Sequence, residues 1–280
     1  MLTFSVLHAI MAASYRKIIY TEVRRMHTVN EFNDIGRELE NLLYLKSAPI
    51  AIKLLRSRDE VPDGCYIPSR DRNERPALCQ AFTQVRRNRR SMAMFREDHW
   101  CLWPIISFRL GEMTEEDYDY VGSSFFVRGT EASRRFFRKN FPLIKEGQDI
   151  PGLALAPLAS CTFEPDIIVV YCVPDQLRQL MMAVKYCTAE IVQPSFDTVG
   201  SCVNSVVPII NGDKPYNLCI PDPGEFERAL TSENEMIFTL CADRVDELLD
   251  GIHTINDMGF GYKQLSMDLN LEYPRAEFYN

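Results

Sequence analysis

Cysteine is the residue type with the most chemical potential in this 280-residue chain, which has nine cysteines spread from Cys65 to Cys241. Thiolates bind zinc and iron–sulfur clusters, whereas uncharged buried thiols only fill the core. The sequence has no CxxC pair, which excludes a compact zinc ribbon or a thioredoxin-type motif. Any metal site must therefore collect its ligands from distant parts of the chain.

Four cysteines have a distinctive local context. Cys79 lies in the first turn of an expected helix, where the helix dipole favours thiolate, and Cys101 lies between two tryptophans in DHWCLWP. Cys202 and Cys219 bound the stretch SCVNSVVPIINGDKPYNLC, whose glycine and proline flanks suit close approach to a bulky cofactor. Each of these thiols is also compatible with simple packing.

The remaining candidates carry weaker signals. His99 is a possible cofactor-binding residue beside Cys101, although a single histidine is more often neither ligand nor donor. Cys172 and Cys241 follow apolar strands and are expected to be small buried residues. Cys202 and Cys219 form no expected disulfide, because we expect a cytoplasmic, reducing compartment.

Composition excludes several classes of function. The formal net charge is −8, so we expect no nucleic-acid binding, and no segment is long enough to cross a membrane. The sequence lacks GxGxxG, P-loop, HExxH and GxSxG motifs. The basic runs Arg86–Arg90 and Arg134–Lys139 are expected to be solvated helix faces, with an anionic ligand or an acidic partner as the alternative.

The elements that would position these residues follow from the apolar pattern. We expect residues 1–25 to be an N-terminal extension or a misassigned start, and residues 26–280 to form a single domain, because no Gly-, Ser- or Pro-rich linker interrupts it. Helices are predicted at Glu31–Leu45, with Asn30 as N-cap, at Pro76–Arg87 and at Thr130–Lys139. Strands are predicted at PIAIKLL, SMAMF, CLWPIISF, SSFFVRG and Gly152–Leu158, and TEEDYDY is predicted to be an exposed loop.

An internal echo indicates the fold. Asp166–Val184 and Glu235–Ile252 each read as an apolar strand, a cysteine, a turn and an amphipathic helix. When Cys172 is aligned with Cys241, the turn after Cys241 is one residue shorter than the turn after Cys172. The echo predicts an α/β (mixed α+β) domain with two pseudo-repeated strand–helix units around a mixed sheet, both helices on one side. Cys202 and Cys219 then fall in the loops that connect the units.

Taken together, the stretches APIAIKLL, LCQAF, DHWC, PDIIVVYCVPDQLRQLM, GSC and EMIFTLCADRVDELLDGI resemble the domain of unknown function 169 family over about Asn30–Ile255. These are uncharacterised conserved prokaryotic proteins, frequent in anaerobes and archaea. The resemblance implies that Cys79, Cys101, Cys202 and Cys219 match the cysteines of the family. This chain departs from the family at Cys101-Leu102-Trp103, where CPG-like residues are usual. It departs again at Cys241-Ala242-Asp243, where a proline turn is usual.

Four thiolates are the number that a [4Fe–4S] cluster or a structural zinc ion requires. The leading hypothesis is therefore an iron–sulfur protein with a redox or electron-transfer role, served by a redox partner protein or a small anionic ligand. The alternatives are a ligand-binding or regulatory module without metal, and a structural zinc site. The sequence leaves open whether the chain has an enzymatic activity and whether it forms a homo-oligomer.

Overall fold

A six-stranded sheet organises the chain. The structure, a computed structural model, describes residues 27–262, so the predicted extension over residues 1–25 lies outside the described residues. The strand order is β2-β3-β1-β4-β6-β5. The strands are β1 Ile50–Leu55, β2 Met92–Phe95, β3 Gly152–Pro157, β4 Ile167–Cys172, β5 Tyr216–Cys219 and β6 Met236–Cys241. All five pairings between these strands are antiparallel, which corrects the prediction of a mixed sheet.

Helices cover both faces of the sheet, and the strands are buried almost throughout. The helices are α1 Val29–Leu42, α2 Pro68–Arg72, α3 Leu78–Asn88, α4 Leu102–Ser107, α5 Glu115–Ser123, α6 Thr130–Lys139, α7 Pro174–Thr188, α8 Ser201–Ile210, α9 Pro223–Arg228 and α10 Val245–Asp257. One core layer packs α1, α7 and α10 against the sheet, and the other packs α3, α4 and α8 against its opposite face. The predicted α/β class is confirmed.

The sequence echo is confirmed as a structural repeat, with a corrected alignment. Units β4–α7 and β6–α10 lie side by side, and both helices pack in the same core layer. Leu177 and Val245 lie 68 positions apart (245 − 177), and the same offset brings Cys172 onto Leu240, which also faces that layer. Cys241 packs partly against the opposite layer. The two cysteines are therefore not equivalent, because side chains alternate between faces along a strand.

Several local predictions were confirmed and others were wrong. The strand in SMAMF and the helix Thr130–Lys139 are present as predicted. CLWPIISF forms helix α4 rather than a strand, because Pro104 is tolerated in the first turn of a helix and a short apolar run suits either element. SSFFVRG forms no strand in the described chain and links α5 to α6, where the Gly129 N–H donates to the Gly122 carbonyl at 2.7 Å.

Capping explains the corrected helix boundaries. Helix α1 begins after Thr28, not Asn30, because the Thr28 hydroxyl accepts from the Glu31 N–H and the Glu31 carboxylate accepts from the Thr28 N–H at 2.8 Å. Thr114 and Asp117 form the same reciprocal cap on α5, so TEEDYDY is helical and not a loop. Helix α3 begins at Leu78, after Ala77, rather than at Pro76.

Candidate functional site

Three of the four cysteines that the family pattern selects lie at the beginnings of three helices. Cys79 is the second residue of α3, Cys101 is the N-cap of α4, and Cys202 is the second residue of α8. All three contact the core layer on one face of the sheet. The free N–H groups and the positive dipole end of a helix stabilise negative charge at these positions, so the arrangement suits anions and thiolates.

Side-chain contacts join α3 to α4 beside the thiols. Trp100, which precedes Cys101, donates from its indole Nε1 to the Oε1 of Gln80, which follows Cys79, at 3.4 Å. Burial raises the pKa of the Cys202 thiol, and the nearby thiols of Cys79 and Cys101 add to this rise. We call Cys79, Cys101 and Cys202 together the thiol site.

Asp222 joins α8 to the same cluster. One carboxylate oxygen of Asp222 accepts from the N–H groups of Gly200 and Ser201, at 2.6 and 3.1 Å. Its other oxygen accepts from the N–H of Glu225 and caps α9. Gly200 has a left-handed backbone with φ of +66°, and a Cβ there would lie 3.0 Å from Val203. The glycine therefore lets α8 begin directly against Asp222.

Burial keeps these thiols protonated in the metal-free protein. Cys79 is 7% exposed and Cys202 is 4% exposed. Burial is the main cause that raises the pKa of the Cys79 thiol, followed by the charges of Glu225 and Asp222. Burial likewise raises the pKa of the Cys101 thiol, while the Trp103 N–H and Arg228 act in the opposite direction. A bound cation would reverse this preference, since metal ligation deprotonates a thiol.

Cys219 has different neighbours from the other three cysteines. It ends strand β5, and its sulfur accepts from the Asn217 Nδ2 at 3.7 Å. Burial raises the pKa of Cys219 to about 12, and the nearby Lys214 ammonium partly opposes this rise. Cys219 shares the core layer of the thiol site, but the interactions that set its pKa come from residues 195–217.

The prediction that Cys202 and Cys219 lie in loops was wrong. Cys202 is in helix α8 and Cys219 is in strand β5, because the apolar run VNSVVPII is long enough to form a buried helix. Both residues are free thiols in the structure, as are the other seven cysteines. The stretch from Cys202 to Cys219 is therefore a helix–strand pair.

The remaining cysteines lie elsewhere. Cys65, Cys161 and Cys172 contact the opposite core layer, and Cys187 is half-buried. The pKa of Cys65 is raised to about 12 by burial and by Cys161. Within residues 27–262, no three His, Cys, Asp or Glu side chains are close enough together to hold a single metal ion.

His99 is a buried neutral imidazole. It is 4% exposed, and burial together with Arg96 lowers its pKa to about 4. Its Nδ1 has no hydrogen-bond partner among the described residues. The charges that act on His99 come from Arg96 and Glu97, and not from the cysteines of the thiol site.

A buried polar network adjoins the thiol site, and no sequence motif indicates it. Glu225 is fully buried, and its carboxylate accepts hydrogen bonds from Tyr171, Ser201 and Thr231. Thr231 also contacts Arg86, whose guanidinium donates to Glu235 at 2.7 Å. Burial raises the pKa of Glu225 to about 7.

Arg86 corrects the prediction of a solvated face for Arg86–Arg90. Arg86 is 1% exposed, and its guanidinium lies 3.9 Å from the centre of the Tyr171 ring. The other arginines of the run are more exposed, and Arg89 pairs with Glu40 at the surface. In a helix, at least one residue of a run this long faces the core, but the run of arginines alone does not identify which residue that is.

Comparisons with known proteins identify the family. Residues 38–251 match the model of DUF169, which is described as an uncharacterised ArCR family. The chain belongs to the DUF169 family. An uncharacterized protein of Methanocaldococcus jannaschii is similar to this DUF169 chain, with 22% identity over 226 residues that cover 80% of this chain and 94% of the relative. No solved structure matches the chain.

The family match covers Cys79, Cys101, Cys202 and Cys219, the whole first strand–helix unit, and the second unit as far as residue 251 within α10. In the part of this DUF169 chain that the structure describes, no helix combines the length and the apolar character needed to cross a membrane.

Proposed function

We propose that this DUF169 protein binds an iron–sulfur cluster at the thiol site, through Cys79, Cys101 and Cys202, and has a redox or electron-transfer role. The observation that carries the proposal is the convergence of three cysteines at the beginnings of three helices. A cluster with thiolate ligands carries net negative charge, which the helix N-termini and Arg228 would stabilise.

A single zinc ion is the less suitable occupant of the thiol site. Zinc needs its ligands at about 2.0–2.3 Å from one point. The absence of any such group of His, Cys, Asp or Glu over residues 27–262 argues against that geometry. A cluster of several iron and sulfide ions is larger and holds its cysteine sulfurs farther apart than a single zinc ion does.

The proposal revises the ligand set that the family pattern implies. Cys219 accepts a hydrogen bond from Asn217 and lies near the Lys214 ammonium, so we do not assign it as a ligand. When bound, the cluster would supply one-electron chemistry. The protein would bind it, orient it and keep water from it, because Cys79 and Cys202 are buried.

Partners and compartment follow from the same site. Trp100, half exposed beside Cys101, would be the point closest to a redox partner protein or a small anionic ligand. Reduced thiols suit the cytoplasm, where glutathione and thioredoxin prevent disulfides. We propose no contact with nucleic acid or membrane, in keeping with the net charge of −8.

Anoxic isolation with iron and acid-labile sulfide analysis tests the proposal. We expect brown protein with about four iron and four sulfide per chain, the stoichiometry of a [4Fe–4S] cluster. The variants C79S, C101S and C202S should each lose most of the iron. The C219S variant should retain it, as should C172S, a matched buried thiol on the other face of the sheet.

Two other results would contradict the proposed cluster. Colourless, folded protein without iron would refute the cluster. It would leave the alternative, a ligand-binding or regulatory module in which the nine cysteines are packing residues. Zinc in place of iron would support a structural zinc site instead.

A further inference from the structure

An apolar groove runs along one side of helix α7, on the core layer opposite the thiol site. The groove encloses about 350 Å³. Its floor is formed by Leu177, Met181 and Met182 of α7, and its wall by Ile191 and Val192, which follow the helix. The side chain of Ile191 is 68% exposed. Helix α7 therefore has an apolar side that the described part of the chain leaves open.

The wall of the groove offers backbone hydrogen-bond donors. Ile191 and Val192 belong to no helix or strand, and their N–H groups have no partner among residues 27–262. An extended peptide beside such a backbone can pair with it and direct every second side chain to one face. The groove therefore suits a strand-like segment with an apolar residue at alternate positions.

The rim of the groove includes a cation without a partner. Within the described residues, no acceptor lies within hydrogen-bond or ion-pair distance of the Lys185 ammonium. Arg178, the other cation of the rim, pairs with Asp175 at 2.7 Å. Glu190 adds one carboxylate to the lining. The unpaired ammonium of Lys185 favours an occupant that carries carboxylates.

One segment of this chain has the matching pattern. Residues 263–280 lie outside the described residues, and their sequence includes LSMDLNLEY at Leu265–Tyr273. Apolar residues occupy every second position of these nine, an alternation typical of a strand with one buried face. Asp268 and Glu272 occupy positions between them. The segment therefore combines an apolar face with an acidic face.

The described chain ends beside α7. The side-chain amide of Gln179 in α7 donates to the Phe260 carbonyl at 2.7 Å, and Tyr262 packs against the core layer that contains α7. Residues 263–273 span up to about 36 Å when extended, whereas a helix with its side chains is about 10–12 Å across. The segment is therefore long enough to reach the groove of its own chain.

We propose that Leu265–Tyr273 docks in this groove as an extended segment of the same chain. Its apolar face packs on Leu177 and Met181, its backbone accepts from the N–H groups of the wall, and its carboxylates lie towards Lys185. The docked segment completes the cover of α7. This inference does not depend on the proposed cluster, because the groove shares no residue with the thiol site.

Hydrogen–deuterium exchange of the Ile191 and Val192 amides, measured on the reduced 280-residue chain, tests the docking. The wild type should show slow exchange at both amides. The L269S/L271S double variant should exchange them at least about tenfold faster, because it removes two buried leucine side chains. The matched control N270S changes the other face of the segment and should exchange as the wild type does.

A second pair of variants tests the groove itself. K185E should speed exchange at the same amides about two- to fivefold, the effect of removing one surface ion pair. K139E, which reverses an exposed lysine on α6, should leave the exchange unchanged. Slow exchange of the β4 amides in every variant shows that the proteins are folded.

Four results would overturn the inference. The first is exchange of the Ile191 and Val192 amides in the wild type at the rate of an unstructured peptide. The second is an equal effect of N270S and L269S/L271S, and the third is an equal effect of K139E and K185E. The fourth is protection that disappears when the protein is diluted, which would show that the segment binds a second copy of the chain.

Discussion

The buried carboxyl of Glu225 should contribute to the stability of the metal-free, reduced protein, and this contribution should fall as the pH rises towards neutrality. Its hydrogen-bond partners among residues 27–262 are the hydroxyls of Tyr171, Ser201 and Thr231, and the charge of Asp222 acts on it unfavourably. Arg86 partly compensates. Burial raises the pKa of Glu225 from 4.5 to about 7. The E225Q variant replaces the carboxyl by an uncharged amide of similar shape.

The sign follows from proton binding. Between pH 4.5 and about pH 7 the folded protein holds the Glu225 proton more tightly than the unfolded chain, so this stabilisation is complete below pH 4.5 and is lost as the pH rises through 7. A pKa that is higher by about 2.5 in the folded protein corresponds to a difference of about 3 kcal/mol in the free energy of unfolding. His99 acts in the opposite direction, because its pKa is lowered from 6.5 to about 4 and its contribution is lost as the pH falls. The two titrations therefore oppose each other in the wild type.

Urea unfolding at several pH values, for wild type and E225Q, separates the two effects. The difference in unfolding free energy between the two proteins should change by about 3 kcal/mol between pH 4.5 and pH 7, with E225Q gaining relative to wild type as the pH rises. The His99 contribution is common to both proteins and disappears from the difference. A difference that is independent of pH would refute the assignment of Glu225 as a carboxyl with a raised pKa.

Two further predictions concern packing and charge. G251A should destabilise the protein by about 1–3 kcal/mol in urea unfolding, because a Cβ there would lie 2.6 Å from the Ala183 carbonyl oxygen where α10 crosses α7; an unchanged unfolding midpoint would contradict this close approach. R86M should cost about 3–5 kcal/mol because it leaves the Glu235 carboxylate without its main partner, and the double variant R86M/E235M should recover much of that loss. Equal stability of the single and double variants would show that the pair is not coupled.

The regular part of the fold could be predicted from the sequence because its signals are local. The helix Thr130–Lys139 and the paired strand–helix units follow from apolar periodicity within each segment. The errors arose where periodicity is ambiguous or where tertiary partners decide. CLWPIISF is apolar throughout, so it suits a strand or a buried helix equally, and only its packing in the core layer of α3 and α8 makes it α4.

The thiol site was only partly accessible to sequence reasoning. Helix position singled out Cys79 in advance, and the resemblance to the family added Cys101 and Cys202. The surroundings of Cys219 depend on the position of β5 in the sheet, which no local sequence pattern predicts. The roles of Asp222 and Arg228 were missed because both depend on α9, a six-residue helix whose placement beside α3 is a tertiary property.

The central claim is tested most directly by locating iron in the molecule. An anomalous difference map, recorded at the iron absorption edge from crystals grown without oxygen, shows where the metal lies. The account predicts one strong peak beside the sulfurs of Cys79, Cys101 and Cys202. A peak ligated by Cys219, or iron-free crystals of correctly folded protein with these three thiols packed together, would contradict it.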